Sequence, residues 1–272
     1  MSLSLRQTAA TRLRMDFAGL LPEALCALPA DEVAALQILQ GNTPVRLDGL
    51  FDIESRDDGM LQLELHTLDD RIDNLGKDMQ SGTIRVHGDV GLYAGRGMSG
   101  GELHIQGHAG DFCGSGLRGG VLRVSGDVGD CLGAPAGGEL RGQQGGLIHV
   151  RGSAGARAGE RQRRGICIVE GDAGELAAYR MIAGTLYIGG RPGPMAGHGM
   201  RRGSLLLRRP PQELDANFRS NGEQVLGFLP LLLKDLQRLA GGSLDDLPLS
   251  AGVQRYLGDV AADGRGEILI LQ

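Results

Sequence analysis

The stretch GDVGLYAGRGMSGGELHIQGHAGDFCGSGLRGGVLRVSGDVG, residues 88–129, sets the architecture of the chain. Within it GELHIQG (101–107) and GVLRVSG (120–126) share one pattern: Gly, x, aliphatic, x, aliphatic, x, Gly. The pattern recurs on both sides as GTIRVHG (82–88), GLIHVRG (146–152), GICIVEG (165–171) and GTLYIGG (184–190). A seventh copy, GSLLLRR from Gly203, has Arg209 where the closing Gly would stand. The opening glycines fall at 82, 101, 120, 146, 165, 184 and 203, a spacing of 19 broken by one step of 26.

Alternation within each unit marks a short strand buried on one face. Stacked, the units build two apolar columns. One is Ile84, Leu103, Leu122, Ile148, Cys167, Leu186 and Leu205; the other is Val86, Ile105, Val124, Val150, Val169, Ile188 and Leu207. Bend segments such as DVG (89–91), HAG (108–110) and DAG (172–174) follow, their glycines suited to positive φ or close backbone approach. A small residue then recurs at Ala94, Cys113, Leu132, Ala158, Ala177 and Ala196, and Met98, Leu117, Met181 and Met200 precede the next opening Gly. A single unit cannot bury its inner face, but units stacked about 4.8 Å apart share hydrogen bonds and one core. The expectation is a mainly β protein: a parallel β-helix of about seven 19-residue coils. It is right-handed because parallel crossovers almost always are.

Around the repeat (76–209), residues 1–75 read as a small α/β cap. It holds a helix over 30–41, with Val33, Leu36 and Leu39 on one face, and a hairpin of PVRLDGLFDI and MLQLELHTL joined through SRDDG. Residues 210–272 leave the repeat after Pro210 and Pro211 and read as a helical extension, with pieces over 223–240 and 250–260.

Composition narrows the function classes. With 47 Gly, no Trp and nine Phe plus Tyr in 272 residues, the chain is unlike an ordinary Rossmann enzyme or helical bundle. The absence of a three-residue period excludes collagen. Four scattered Cys without a CxxC favour neither a zinc site nor a disulfide framework, which suits a cytoplasmic home. The N-terminus lacks an apolar signal core, and VLGFLPLLL (225–233) is too short to span a bilayer. No nucleophile elbow, HExxH or phosphate loop stands out, so no catalytic or metal residue is expected. His104 and His149 share an outward column that reads as a solvated face. Asp89, Asp127 and Asp172 read as bend caps rather than calcium ligands, and Cys113, Cys131 and Cys167 as small buried hydrophobes.

Charge is distributed unevenly. Residues 141–209 carry 12 Arg against 4 acids, whereas 1–75 carry 6 basic and 13 acidic groups. Arg157, Arg161, Arg163, Arg164, Arg201 and Arg202 are the candidates for holding a partner protein or a polyanionic ligand. Nucleic acid fits poorly, because no aromatics interleave and the overall charge is −5. The insertion APAGGELRGQQGG (134–146) forms a loop on one side of the stack.

The units at 88–129 and 171–205 resemble the glycine-repeat region of the formylmethanofuran dehydrogenase C subunit and, more distantly, the C-terminal β-helix of glutamate synthase large subunits. The Arg-rich, Lys-poor composition is most similar to the C subunit of the bacterial formyltransferase/hydrolase complex. That resemblance implies a scaffold without an active site, in a complex that takes formyl-tetrahydromethanopterin to formate through a methanofuran-type carrier. It also implies a formyltransferase, a metal-bearing amidohydrolase-like subunit and a third subunit as partners. The C subunit of a dehydrogenase and a glutamate synthase-like brace are the alternatives. A self-contained polysaccharide lyase would need an acid or base cluster that the repeat does not supply.

Overall fold

In the computed structural model, which describes residues 2–249 and 252–272, the chain is mainly β and built around one mixed sheet of 13 strands. Its N-terminal region comprises β1 (Ser2–Gln7), β2 (Met15–Asp16), α1 (Pro22–Leu25), α2 (Ala30–Ala35), β3 (Gln37–Gln40), β4 (Thr43–Arg46), β5 (Phe51–Arg56), β6 (Gln62–His66) and β7 (Ile72–Asp73). The glycine units supply β8 (Thr83–His87), β9 (Glu102–Ile105), β10 (Val121–Val124), β11 (Gln144–Val150), β12 (Arg164–Val169), β13 (Thr185–Ile188) and β14 (Ser204–Leu207). The C-terminal region adds β15 (Arg219–Gln224), α3 (Leu229–Ala240), β16 (Val253–Gly258) and β17 (Gly266–Leu271).

Strands β8 to β14 pair in parallel with their sequence neighbours, and the register places Ile84 on Leu103 on Leu122 on Ile148 on Cys167 on Leu186 on Leu205. This column and its companion are fully buried. A second parallel column of single bridges runs Val90, Ala109, Val128, Ala154, Ala173, Pro192. Each 19-residue unit therefore touches its neighbours along more than one wall, as the period predicts.

The glycines divide by cause. Every opening Gly has positive φ, from +66° at Gly146 to +101° at Gly184, a region that costs an L-residue roughly 1–2 kcal/mol. At Gly107 and Gly110 φ is ordinary and proximity is the constraint. A Cβ on Gly107 would lie 2.5 Å from the carbonyl oxygen of Gly88, and one on Gly110 would lie 2.8 Å from that of Gly91. Between units, Asp89 Oδ1 accepts from His108 N, Asp127 Oδ1 from Ser153 N and Asp172 Oδ1 from Arg191 N. The bend aspartates thus cap N–H groups of the following repeat unit rather than of their own turn. His108 Nδ1 and Ser153 Oγ fill the steps between, accepting from Asp127 N and Asp172 N.

Several expectations need correction. The helix over 30–41 stops at Ala35; Leu36 turns extended and Leu39 lies exposed in β3. The two strands around SRDDG are not a hairpin, because β1 inserts between them, antiparallel to β5 and parallel to β6. With Leu63 on Ile84 and Leu65 on Val86, β6 continues the buried columns, so the ladder begins before the first glycine unit. The C-terminal extension, expected to be helical, contains three strands and one long helix. Among its described residues 229–240 is the one helix longer than a single turn, and 253–258, expected as helix, is β16; residues 250 and 251 lie outside the described region. Strand β17 returns to pair in parallel with β14, Ile268 on Leu205, and β16 and β15 close that end antiparallel. Cys113 and Cys167 are buried, with burial pushing both thiols up to about 12, but Cys131 is only half-buried.

The outward face also changes character. Arg85, His104 and Arg123 precede His149, Ile168, Tyr187 and Leu206 in one register column. The apolar end of this column packs against Leu229, Leu233 and Leu236 of α3. His149 is 2% exposed rather than solvated. Its Nδ1 meets Arg123 Nη1 at 2.8 Å and its Nε2 meets Glu170 Oε1 at 2.6 Å. A guanidinium can only donate, so His149 accepts at Nδ1 and donates from Nε2.

If coil-to-coil proximity sets the fold, Gly110→Ala lowers unfolding free energy by about 1–3 kcal/mol. Gly137→Ala, in the insertion with open space around it, stays within about 0.5 kcal/mol of the parent. Denaturant unfolding of the two variants measures the difference.

Candidate functional site

Part of the basic stretch of the sequence lines a concave wall. Arg161 and Arg180 stand at equivalent positions of successive units, and their backbones take φ of +49° and +51°. Their amides donate to Tyr179 O and His198 O of the following coil. This geometry turns both side chains toward a cavity of about 590 Å³, where they meet Arg201, His198, Asn217 and Asp259. Leu140 of the insertion, Ile182, Ala261 and Ala262 supply the apolar part of the lining.

A hydrogen-bonded knot forms the floor. His198 Nδ1 lies 2.8 Å from Asp215 Oδ2, and Asp215 Oδ1 accepts from Asn217 N. The buried Asp259 accepts from Ala261 N at Oδ1, and from Gly199 N and Asn217 Nδ2 at Oδ2. The carboxyl of Asp215 is held below its ordinary range, first by His198 and then by the Asn217 amide. His198, Asp215 and Asp259 are close enough to suggest a metal. However, Asp259 is occupied by three N–H donors and the cavity is lined by arginines, so the cluster reads as the lock between coil and C-terminal segment.

The arginines are poorly neutralised. Arg157 and Arg161 reach Glu160 only at 3.9 Å, and Arg180, Arg201 and Arg202 have no ion pair among the described residues. Arg157 and Arg180 lie over Tyr179, at 5.9 and 5.0 Å from its ring centre, and Tyr179 stacks on His198. Guanidinium groups converging on a part-apolar hollow favour a ligand with carboxylate or phosphate groups on a carbon chain.

No family profile matches the chain. Two curated proteins, both the C subunit of a tungsten-containing formylmethanofuran dehydrogenase 2 from Methanococcus maripaludis, are 27% and 26% identical over 91 and 93 residues. Each match takes in 34% of this chain, which spans about a third of the length of these relatives. A solved structure matches from end to end: a chain in the crystal structure of the formyltransferase/hydrolase complex from Methylorubrum extorquens in complex with methylofuran. It is 36% identical, with a TM-score of 0.90 and 98% of each chain covered. This chain belongs to the family of formylmethanofuran dehydrogenase C subunits.

In this family member the six arginines singled out from the sequence separate. Arg161 and Arg201 line the cavity, Arg202 joins Arg201 and Arg265 in an adjoining hollow, and Arg157 stacks on Tyr179. Arg163 and Arg164 line neither. Arg180, His198 and Arg265 complete the wall. Arg180 is readable in the sequence as the residue 19 positions after Arg161, whereas Arg265 comes from outside the repeat and carries no such mark.

The depressed carboxyl of Asp215 gives a pH dependence. Its stabilising contribution is complete above the unfolded carboxylate range, near pH 4, and fades as pH falls through the lower folded value. Asp215→Asn is therefore less stable than the parent at pH 7, and the gap between them narrows toward pH 3. Thermal melts across that range measure it.

Proposed function

We propose that this chain is the non-catalytic scaffold subunit of a cytoplasmic formyltransferase/hydrolase complex. In that complex formyl-tetrahydromethanopterin gives formate by way of a formylmethanofuran-type carrier. On this reading the coils form a right-handed parallel β-helix whose walls seat a formyltransferase, a metal-bearing amidohydrolase-like subunit and a third subunit. The observation that carries the proposal is the end-to-end likeness, 98% of both chains, to a chain of the complex solved with methylofuran. A wall of stacked rungs is stiff and periodic, which suits it to holding neighbours in fixed relation. Affinity purification of the chain from its native host is expected to bring down the formyltransferase and amidohydrolase-like subunits. Formate release by the isolated chain alone would refute the scaffold role.

The arginine cavity favours a second role within the same complex, that of contacting an anionic tail of the carrier. Its poorly neutralised guanidinium groups and apolar lining suit a flexible polycarboxylate better than a flat protein surface. Reversing charge at Arg161 and Arg180 is expected to slow formyl transfer by about tenfold, the equivalent of one contact of about 1.4 kcal/mol, while the assembly stays intact on size-exclusion chromatography. Reversal at Arg163 and Arg164, which lie off the cavity, leaves transfer unchanged. Loss of assembly in the Arg161 and Arg180 variant would instead make this wall a docking face.

A further inference from the structure

At the other end of the ladder, three side chains on the outer face of β6 and β8 stand in an arrangement that the scaffold role does not use. His66 and His87 are direct cross-strand partners, and Glu64 sits two residues before His66, on the same side of the sheet. The inward positions of these strands are taken by Leu63, Leu65, Ile84 and Val86, so the outward direction of the polar three is fixed by the core. The two imidazoles lie 4.4 Å apart, nearly parallel. Glu64 Oε1 is 2.7 Å from His87 Nε2 and 4.0 Å from His66 Nε2.

We propose that Glu64, His66 and His87 form a divalent-cation site fitted to zinc. Two imidazole nitrogens and a carboxylate oxygen are a zinc donor set, leaving a fourth position for water. A tetrahedral zinc with bonds of about 2.0–2.2 Å holds its ligand atoms about 3.4 Å apart, and the observed separations of 2.7 and 4.0 Å bracket that value. All three donor atoms already lie within 4.8 Å of one another, so side-chain rotation alone closes the site.

The surroundings support a cation. His87 Nδ1 faces Gln106 Oε1 at 3.0 Å. In this structure Nε2 bonds Glu64 Oε1 at 2.7 Å; once a metal takes the place of that bond, the Gln106 carbonyl oxygen, which only accepts, holds the remaining ring hydrogen at Nδ1, the arrangement that outer-shell partners impose on metal-binding histidines. Arg6 and Arg85 occupy the positions opposite His66 and Glu64 on β1 and β8. They weaken the attraction for a cation, but no arginine lies within ion-pair distance of Glu64 among the described residues. The carboxylate therefore has only the two histidines to answer its charge. This contrasts with Asp215 and Asp259, whose carboxylates are already occupied by backbone and side-chain amide N–H donors.

The test is titration of the full-length, chelator-treated chain with Zn²⁺, by calorimetry and in competition with a chromogenic chelator. One equivalent is expected to bind saturably, and Co²⁺ in its place is expected to give the visible absorption of a four-coordinate ion. His87→Ala and Glu64→Gln should each weaken binding at least about tenfold, and Gln106→Ala by about tenfold through loss of ring orientation. Circular dichroism should leave all three folded, since these side chains contribute nothing to the core. Absence of saturable one-to-one binding to the parent chain at micromolar zinc would overturn the site, as would unchanged binding in a His66→Ala/His87→Ala variant.

Discussion

The spacing between successive repeat units is the constraint on which the remaining structure rests. Rungs about 4.8 Å apart leave no room for a side chain wherever backbone crosses backbone directly. Positions such as Gly107, Gly110, Gly126 and Gly129 face the preceding coil at distances that no Cβ tolerates. Glycine content is therefore a steric requirement of the stack. The same proximity brings each bend aspartate within reach of an amide one coil on, so the N–H groups that glycine bends expose are satisfied between coils.

A stack with this regularity has two ends and several walls, and the chain treats each differently. At the start, β1 slides between β5 and β6, so the first rungs are built from segments far apart in sequence and finished by an antiparallel strand. At the finish, an excursion of more than fifty residues between β14 and β17 supplies the last parallel rung, then covers it with β16 and β15. The wall that begins polar turns apolar from Ile168 onward, and α3 is amphipathic enough to bury that turn. His149 sits at the border, buried and held between Arg123 and Glu170. Glu170 in turn accepts from Ser243 beyond α3, which ties the covering segment to its coil.

Function in such a molecule lies on the walls. The inner columns are occupied by apolar side chains, and the polar clusters divide by the state of their acceptors. His198, Asp215 and Asp259 are satisfied by local donors and act as a lock, whereas the arginines around them converge without acids to match. Glu64, His66 and His87 have only one another and Gln106 as polar partners, with no backbone amide or arginine bonded to the carboxylate among the described residues. The distinction is one of hydrogen-bond satisfaction rather than of residue type.

The period, the two buried columns, the register of β8 to β14 and the basic character of units four to seven are all legible in the order of residues. These properties recur at a fixed interval, and stacking converts an interval directly into a neighbour. The same order also carries, less visibly, the change from Arg85 and His104 to Ile168 and Tyr187 that marks where a covering helix docks. Folding in three dimensions settles the rest: that β1 separates β5 from β6, that 253–258 is strand, that His149 is buried, and that Arg265 and Asn217 join Arg161 and Arg201 along one wall. Those outcomes depend on contacts between segments distant in sequence with no shared phase, where local preference is weak and the free edge of an existing sheet determines what pairs with it.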